Sequence, residues 1–198
     1  MSIVVEHDKR RREILERALD VFMDEGFEDV TFQKIADRCG ITRTTLYIYF
    51  RNKREVFNFS IKQFLSVLEN NIAEIRKSKE LSHSQKLIAV MTMIIKRLEE
   101  NRRLLFVVHD YLIYISKGDT DPDYRFRRRT VRMRHILATM LIEGIKAEEF
   151  SPRLNVKDAI ELLFGLFETA VSRMVVLRRS SVEELKGVIN LAVQGFAR

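Results

Sequence analysis

The chain has 198 residues, room for one large domain or two small ones. It carries seven Gly and two Pro, well under the roughly 12% of an average chain. That shortage excludes β-sandwiches, barrels and linker-rich designs, which need frequent turn residues. Hydrophobic residues make up 46% and charged residues 32%, so a core can form and bulk disorder is excluded. The net charge of +7 permits an acidic partner without choosing among nucleic acid, membrane surface and anionic ligand. One cysteine, Cys39, rules out an intrachain disulfide and a multi-cysteine metal site. No stretch approaches the about 18 apolar residues of a membrane span. The start lacks a signal-peptide pattern, so a cytoplasmic protein without membrane insertion is expected.

Helical spacing recurs along nearly the whole chain. From Arg10 to Glu25 the apolar set Ile14, Leu15, Ala18, Leu19, Phe22 and Met23 steps by three and four, which places one stripe on one face. Gly26 is expected to cap this helix in the left-handed region. Thr31 can cap a short second helix that turns Ile35 and Ala36 inward. Cys39-Gly40-Ile41 interrupts it, and Thr42 caps a third short helix to about Tyr49. Asn52 caps a longer fourth helix with Val56, Phe57, Ile61, Phe64, Leu65 and Leu68 on its apolar face. The polar stretch 76–84 is a break. Five further helices are expected at about 84–100, 102–116, 123–148, 155–178 and 181–196. Gly118 to Pro122 punctuates them as a loop, Phe150-Ser151-Pro152 as a second break, and Ser180 or Ser181 as a cap.

The sharpest signal lies between Thr31 and Lys53. A helix-turn-helix needs a small residue where its helices touch, a glycine for the turn, an apolar residue packed beneath, and a capped second helix. Ala36, Gly40, Ile41 and Thr42 fill those roles in order. The second helix then presents Arg43, Thr44 and Thr45 in its first turn, the end that enters the major groove in such proteins. Arginine reads guanine O6 and N7, and threonine meets a thymine methyl or a base edge. Thr31, Tyr47, Tyr49 and Lys53 are the candidate phosphate contacts, which set register rather than sequence preference.

The run Thr31-Phe-Gln-Lys-Ile-Ala-Asp-Arg-Cys-Gly-Ile-Thr-Arg-Thr-Thr-Leu-Tyr-Ile-Tyr-Phe-Arg-Asn-Lys53, with upstream Ala18, Phe22, Gly26 and Phe27, resembles the DNA-binding domain of the TetR family of bacterial repressors. Thr31, Ile35, Ala36, Gly40, Ile41, Leu46, Tyr47, Phe50 and Lys53 carry the match, over about residues 10–57. The resemblance implies an all-α homodimer. Its N-terminal three helices bind DNA, and its variable C-terminal helices hold a ligand pocket and the dimer seam. Lys34 departs from the pattern where the family usually has an acid, which loses a reciprocal capping box with Thr31 and leaves Lys34 free to approach a phosphate. Tyr49 stands where His is common.

Residues 1–55 contain 11 Lys/Arg and 11 Asp/Glu, so the arrangement of charge, not its sum, must attract phosphates. The basic run 9–12 is either a backbone or minor-groove contact or a frayed arm. Residues 125–134 hold Arg125, Arg127, Arg128, Arg129, Arg132 and Arg134. Arg125, Arg128, Arg129 and Arg132 share one helical face by spacing of three and four, which is solvated, or an anionic-effector site, or a dimer or membrane-surface contact. Met91, Phe106, His109, Tyr114 and Arg132 are candidate ligand-binding residues. Leu163, Phe167, Ala170 and Met174, with Leu185, Ile189 and Val193, form apolar bands read as the dimer interface, a four-helix seam resembling that of the family. No metalloprotease, hydrolase-elbow, phosphate-loop or dinucleotide motif occurs, and four scattered His with one Cys give no metal set and no nucleophile pair, so neither an enzyme nor a cofactor is expected.

The reading is an all-α chain with a helix-turn-helix domain at 1–53 and a larger helical regulatory and dimerisation domain at 54–198. Its expected function is a ligand-responsive regulator, a repressor, that binds a palindromic operator as a homodimer and is released by a small amphipathic or anionic effector. The alternative is a helical adaptor or membrane-surface protein that uses the Arg125–Arg134 face.

Overall fold

A computed structural model of the chain describes residues 2–116, 124–177 and 182–198; among these, the side chains of 2–5, 115–116, 124–130 and 182 lie outside the description. The described residues form nine helices and no strand: α1 Ser2–Asp29, α2 Phe32–Cys39, α3 Arg43–Tyr49, α4 Lys53–Lys77, α5 His83–Glu100, α6 Arg102–Ser116, α7 Tyr124–Lys146, α8 Val156–Val175 and α9 Val182–Gln194. The all-α expectation holds. The expected 118–122 loop and the Ser180/Ser181 cap lie outside the described residues.

Two boundaries differ from expectation. The first helix begins at Ser2 rather than near Arg10. Gly26 is not a left-handed cap: its φ of 79° and ψ of 167° break α1 in a conformation that only glycine adopts readily. The caps of α2–α5 follow side-chain chemistry. The hydroxyls of Thr31, Thr42 and Ser82 accept from the backbone N–H groups of Lys34, Thr45 and Gln85, and Asn52 Oδ1 accepts from Glu55 at 2.9 Å. Ser82 and Gln85 form a full capping box, which narrows the 76–84 break to the residues between Lys77 and His83.

The chain divides into two compact units. The first comprises Met1–Asn70 with Phe106–Lys117, the second Asn71–Leu105 with Gly118–Arg198. Helices α4 and α6 each contribute to both. In the first unit, Ile14, Ala18 and Phe22 of α1 are buried with Ile35 and Ala36 of α2, Leu46 of α3 and Phe57 of α4. Phe27 packs edge-on against Phe57, with ring centroids 5.2 Å apart, and against Tyr111 of α6 at 4.6 Å. Tyr111 in turn accepts a 3.0 Å hydrogen bond from Arg54 Nε. Cys39 is buried at the end of α2, and that burial pushes its thiol pKa up despite nearby Arg17, so it packs as a small apolar group.

The second unit has a core of Leu87, Val90, Met91 and Ile95 (α5), Leu137 and Leu141 (α7), and buried positions of α8 and α9. Its C-terminus is pinned by a bridge between Phe150 and Ala197, with Ser151 N–H donating to the Phe196 carbonyl at 2.9 Å. Gly144 of α7 lies so close to the Phe150 ring that a β-carbon there would sit 2.2 Å from Phe150 Cδ2. The Glu149 carboxylate accepts from the His83 and Ser84 N–H groups at 2.9 and 3.0 Å and so holds the start of α5.

Candidate nucleic-acid interface

The reading module is built from the turn outward. Gly40 adopts φ 65° and ψ 35°, the left-handed conformation that glycine tolerates best. Its geometry lets Ile41 N–H reach the Ala36 carbonyl at 3.0 Å and closes α2. Thr42 then opens α3 by accepting from Thr45 N–H at 3.0 Å. Leu46, fully buried, fixes α3 to the core, and Phe50 closes it. With Leu46 inward, Arg43, Thr44, Tyr47 and Ile48 are exposed on the remaining face.

Arg43 does not float. Its Nη2 donates to the Tyr47 hydroxyl at 3.2 Å, and its guanidinium lies 5.7 Å from the Tyr47 ring. Tyr47 is half exposed and rests on Phe32, with ring centroids 4.7 Å apart. The arginine therefore has a preset direction along the outer face of α3. Thr44 is exposed beside it. Thr45 is half-buried, and its hydroxyl is 2.8 Å from that of Thr42, which draws it into the cap.

The expected phosphate contacts fall into different settings. Thr31 is exposed, with its hydroxyl holding the start of α2. Tyr49 is half-buried, and its ring stacks on His7 at 4.5 Å, a contact between helix starts and ends that spacing alone did not reveal. Lys53 donates to three backbone carbonyls, those of Phe27, Glu28 and Val30, at 2.9, 2.7 and 3.0 Å. An ammonium has three protons, so a phosphate could be met only by surrendering one of these bonds. Burial lowers the Lys53 pKa, with Glu28 and Asp29 pulling it partly back. Lys34, expected to be free for a phosphate, is instead paired with Glu25 and the Asp29 carbonyl. In the 9–12 run, which is helical rather than frayed, Arg10 pairs with Glu13 at 3.1 Å and Arg11 lies 4.3 Å from the Phe59 ring centroid.

The ligand and dimer candidates are placed as follows. Met91 is buried in the second unit, where Arg132 is exposed. Phe106 is half-buried in the first unit, where His109 and Tyr114 are exposed. A hollow of about 240 Å³ in the first unit is lined by residues 25–29 with Asp110, Ile113 and Tyr114. Four of its lining residues are acidic, a poor match to an anionic effector. Leu163, Phe167, Ala170, Met174, Leu185, Ile189 and Val193, the expected dimer-interface residues, are all buried within the single chain. The exposed apolar residues of the same helices are Leu162 on α8 and Val188 and Leu191 on α9. Hydrophobic periodicity marks the buried stripe and cannot separate intrachain from interchain burial.

Arg125, Arg127, Arg128 and Arg129 have side chains outside the described set. Arg134 is bound bidentately by Glu161, with Nη2 to Oε2 at 3.2 Å, and stacks on Phe164 at 4.3 Å, so it is not an open cation. No helix among the described residues is long and apolar enough to cross a membrane, and no group of His, Cys, Asp and Glu there could hold a metal.

Two short helices across a left-handed glycine turn, the second capped, anchored by one leucine and otherwise turned outward, define a helix-turn-helix DNA-binding module. Comparison with known proteins agrees. Residues 14–58 match the family model described as bacterial regulatory proteins, tetR family, so this segment is similar to the DNA-binding domain of those transcriptional regulators. The fatty acid metabolism regulator protein of Bacillus subtilis is 25% identical over 190 residues, covering 93% of this chain and 94% of its own. Among solved structures, the regulator FadR of Bacillus subtilis in complex with stearoyl-CoA superposes with a TM-score of 0.72 at 23% identity, over 92% of this chain and 97% of its own. The fatty acid degradation regulator FadR of Bacillus halodurans gives 0.77 at 19% identity, over 93% and 94%. These relatives are transcriptional regulators, and none of the three supports the adaptor or membrane-surface alternative.

Proposed function

We propose that the chain is a repressor that binds a palindromic operator as a homodimer and releases it on binding a long-chain acyl-coenzyme A thioester. Residues 1–53 are its DNA-binding domain and 54–198 its regulatory and dimerisation domain. The observation that carries the DNA half is the outer face of α3, where Arg43 is held by Tyr47 with no partner from the core. Arg43 and Thr44 read base edges, while Tyr47 and Tyr49 flank them toward phosphates. Thr31, Thr45 and Lys53 support this surface by capping α2, by bonding the Thr42 cap of α3 and by clamping the carbonyls after Gly26. A second copy would cover Leu162, Val188 and Leu191. Two-fold pairing gives two half-sites, so that each short recognition helix reads only a few bases.

The effector class rests on the full-length likeness to fatty acid regulators, one of them holding stearoyl-CoA. Such a thioester is amphipathic and anionic, the chemistry expected from an apolar-rich helical body with exposed arginines. It must bind the released state more tightly than the operator-bound one, or it shifts nothing. The test is fluorescence anisotropy on an operator selected from random duplexes, titrated with stearoyl-CoA and, separately, with free coenzyme A and stearate. Stearoyl-CoA is expected to weaken operator binding at least about tenfold, a coupling of roughly 1.4 kcal/mol, and coenzyme A to leave it unchanged. Equal operator affinity with and without the thioester would remove this effector class.

A further inference from the structure

Among the described residues of the first unit, Ile48, Val67 and Ile113 are exposed aliphatic side chains, and Ile48 is the most exposed of them. Ile48 of α3 is 70% exposed. The helix is already anchored by Leu46 and closed by Phe50, both buried, so Ile48 adds nothing to the core. Helix propensity does not call for it either, because a β-branched residue loses rotamer freedom in a helix. Its position is informative. Ile48 lies four residues after Thr44, and side chains four apart share a helix face, so the two point away from the buried Leu46 together.

A face turned to the major groove meets base-edge donors and acceptors and one apolar feature, the C5-methyl group of thymine. We propose that Ile48 is a specificity-determining residue that packs on a thymine methyl in each operator half-site. This rests on the DNA-binding reading above and adds to it a base preference at a defined place. The rise of about 1.5 Å per residue puts Ile48 about 6 Å along the α3 axis from Thr44. With roughly 3.4 Å per base pair, the methyl belongs to a thymine about two steps from the base beside Thr44. The contact is van der Waals and apolar, so it distinguishes thymine from uracil, a discrimination that Arg43 and the tyrosine hydroxyls cannot make.

The experiment starts from duplexes selected by the wild-type chain from a random pool. Each thymine of the selected site is then replaced in turn by deoxyuridine, which removes only the methyl group. Binding to wild type and to Ile48→Ala is measured by anisotropy at one fixed salt concentration. Ile48 is exposed, so the variant is expected to keep the wild-type melting temperature. At the thymine facing Ile48 in each half-site, wild type should bind about fourfold more weakly per methyl lost. The same replacement should leave Ile48→Ala unchanged, and selection repeated with Ile48→Ser should lose the thymine preference at that position alone. Deoxyuridine effects that are equal in wild type and Ile48→Ala would overturn the inference while leaving the DNA-binding reading intact. Failure of the wild-type chain to select any duplex would overturn both.

Discussion

The two compact units use their side chains differently. In the first, single polar groups hold single backbone segments: Thr31 and Thr42 open helices, and Lys53 gathers the carbonyls of Phe27, Glu28 and Val30. The result is a short helix, α3, fixed by one buried leucine and left with an open outer face. In the second, apolar contact between long helices dominates, and Gly144 approaches the Phe150 ring closely. The difference teaches where function can be read. Where many surface polar groups have a local structural role, a side chain that packs on nothing buried, such as Ile48, stands out. A unit built on apolar periodicity hides its ligand chemistry among interchangeable core residues.

The largest effect of a single substitution is expected in the second unit. Gly144→Ala places a methyl group against the fully buried Phe150 ring, which must shift. Overpacking of this kind costs about 1–3 kcal/mol. The denaturation midpoint in urea is expected to fall accordingly, and an unchanged midpoint would mean that the ring relocates freely.

Lys53→Met sharpens the first unit. It removes three charge-assisted hydrogen bonds to a segment only partly shielded from water, at an expected cost of about 2 kcal/mol. Because its protons are committed to carbonyls, the salt dependence of operator binding is expected to keep its slope. A slope smaller by about one would show that Lys53 also neutralises a phosphate.

The smallest effect is expected at Glu149. Burial alone would raise its pKa, but the His83 and Ser84 N–H groups outweigh that and hold it below the usual carboxylate range. A carboxyl with a depressed folded-state pKa stabilises above its unfolded value and loses that contribution as pH falls through the folded one. Glu149→Gln should therefore cost about 0.3–1 kcal/mol at neutral pH, typical of an anion at a helix start. The difference from wild type should close as the solution is acidified below the carboxylate range, as followed by thermal melts. A gap that stays constant with pH would assign the effect to packing.

Much of the fold is written in local chemistry. The caps at Thr31, Thr42 and Asn52 and the turn at Gly40 are side-chain and backbone preferences, which is why the first three helix junctions could be placed from residue types. Gly26 could be placed as a break but not given its conformation, since φ and ψ there answer to Phe27 and its aromatic neighbours. That Arg43 and Thr44 stand exposed could be read because a helix-turn-helix fixes which positions face out. The roles of Lys53 and Tyr49 could not, because their partners at Phe27 and His7 lie more than twenty residues away. The apolar bands of α8 and α9 were legible as bands, yet whether Leu163 or Leu162 faces another subunit is a matter of tertiary packing.

The central claim is that α3 reads an operator from a two-fold assembly. The most direct measurement compares wild type and Arg43→Ala on the selected duplex, by anisotropy for affinity and by hydroxyl-radical footprinting for spacing. The account predicts two protected half-sites about one helical turn, or a whole multiple of it, apart. It also predicts binding at least about tenfold weaker without the arginine, the loss of one bidentate base contact. Undiminished binding by Arg43→Ala, or a single protected patch with no repeat, would contradict it.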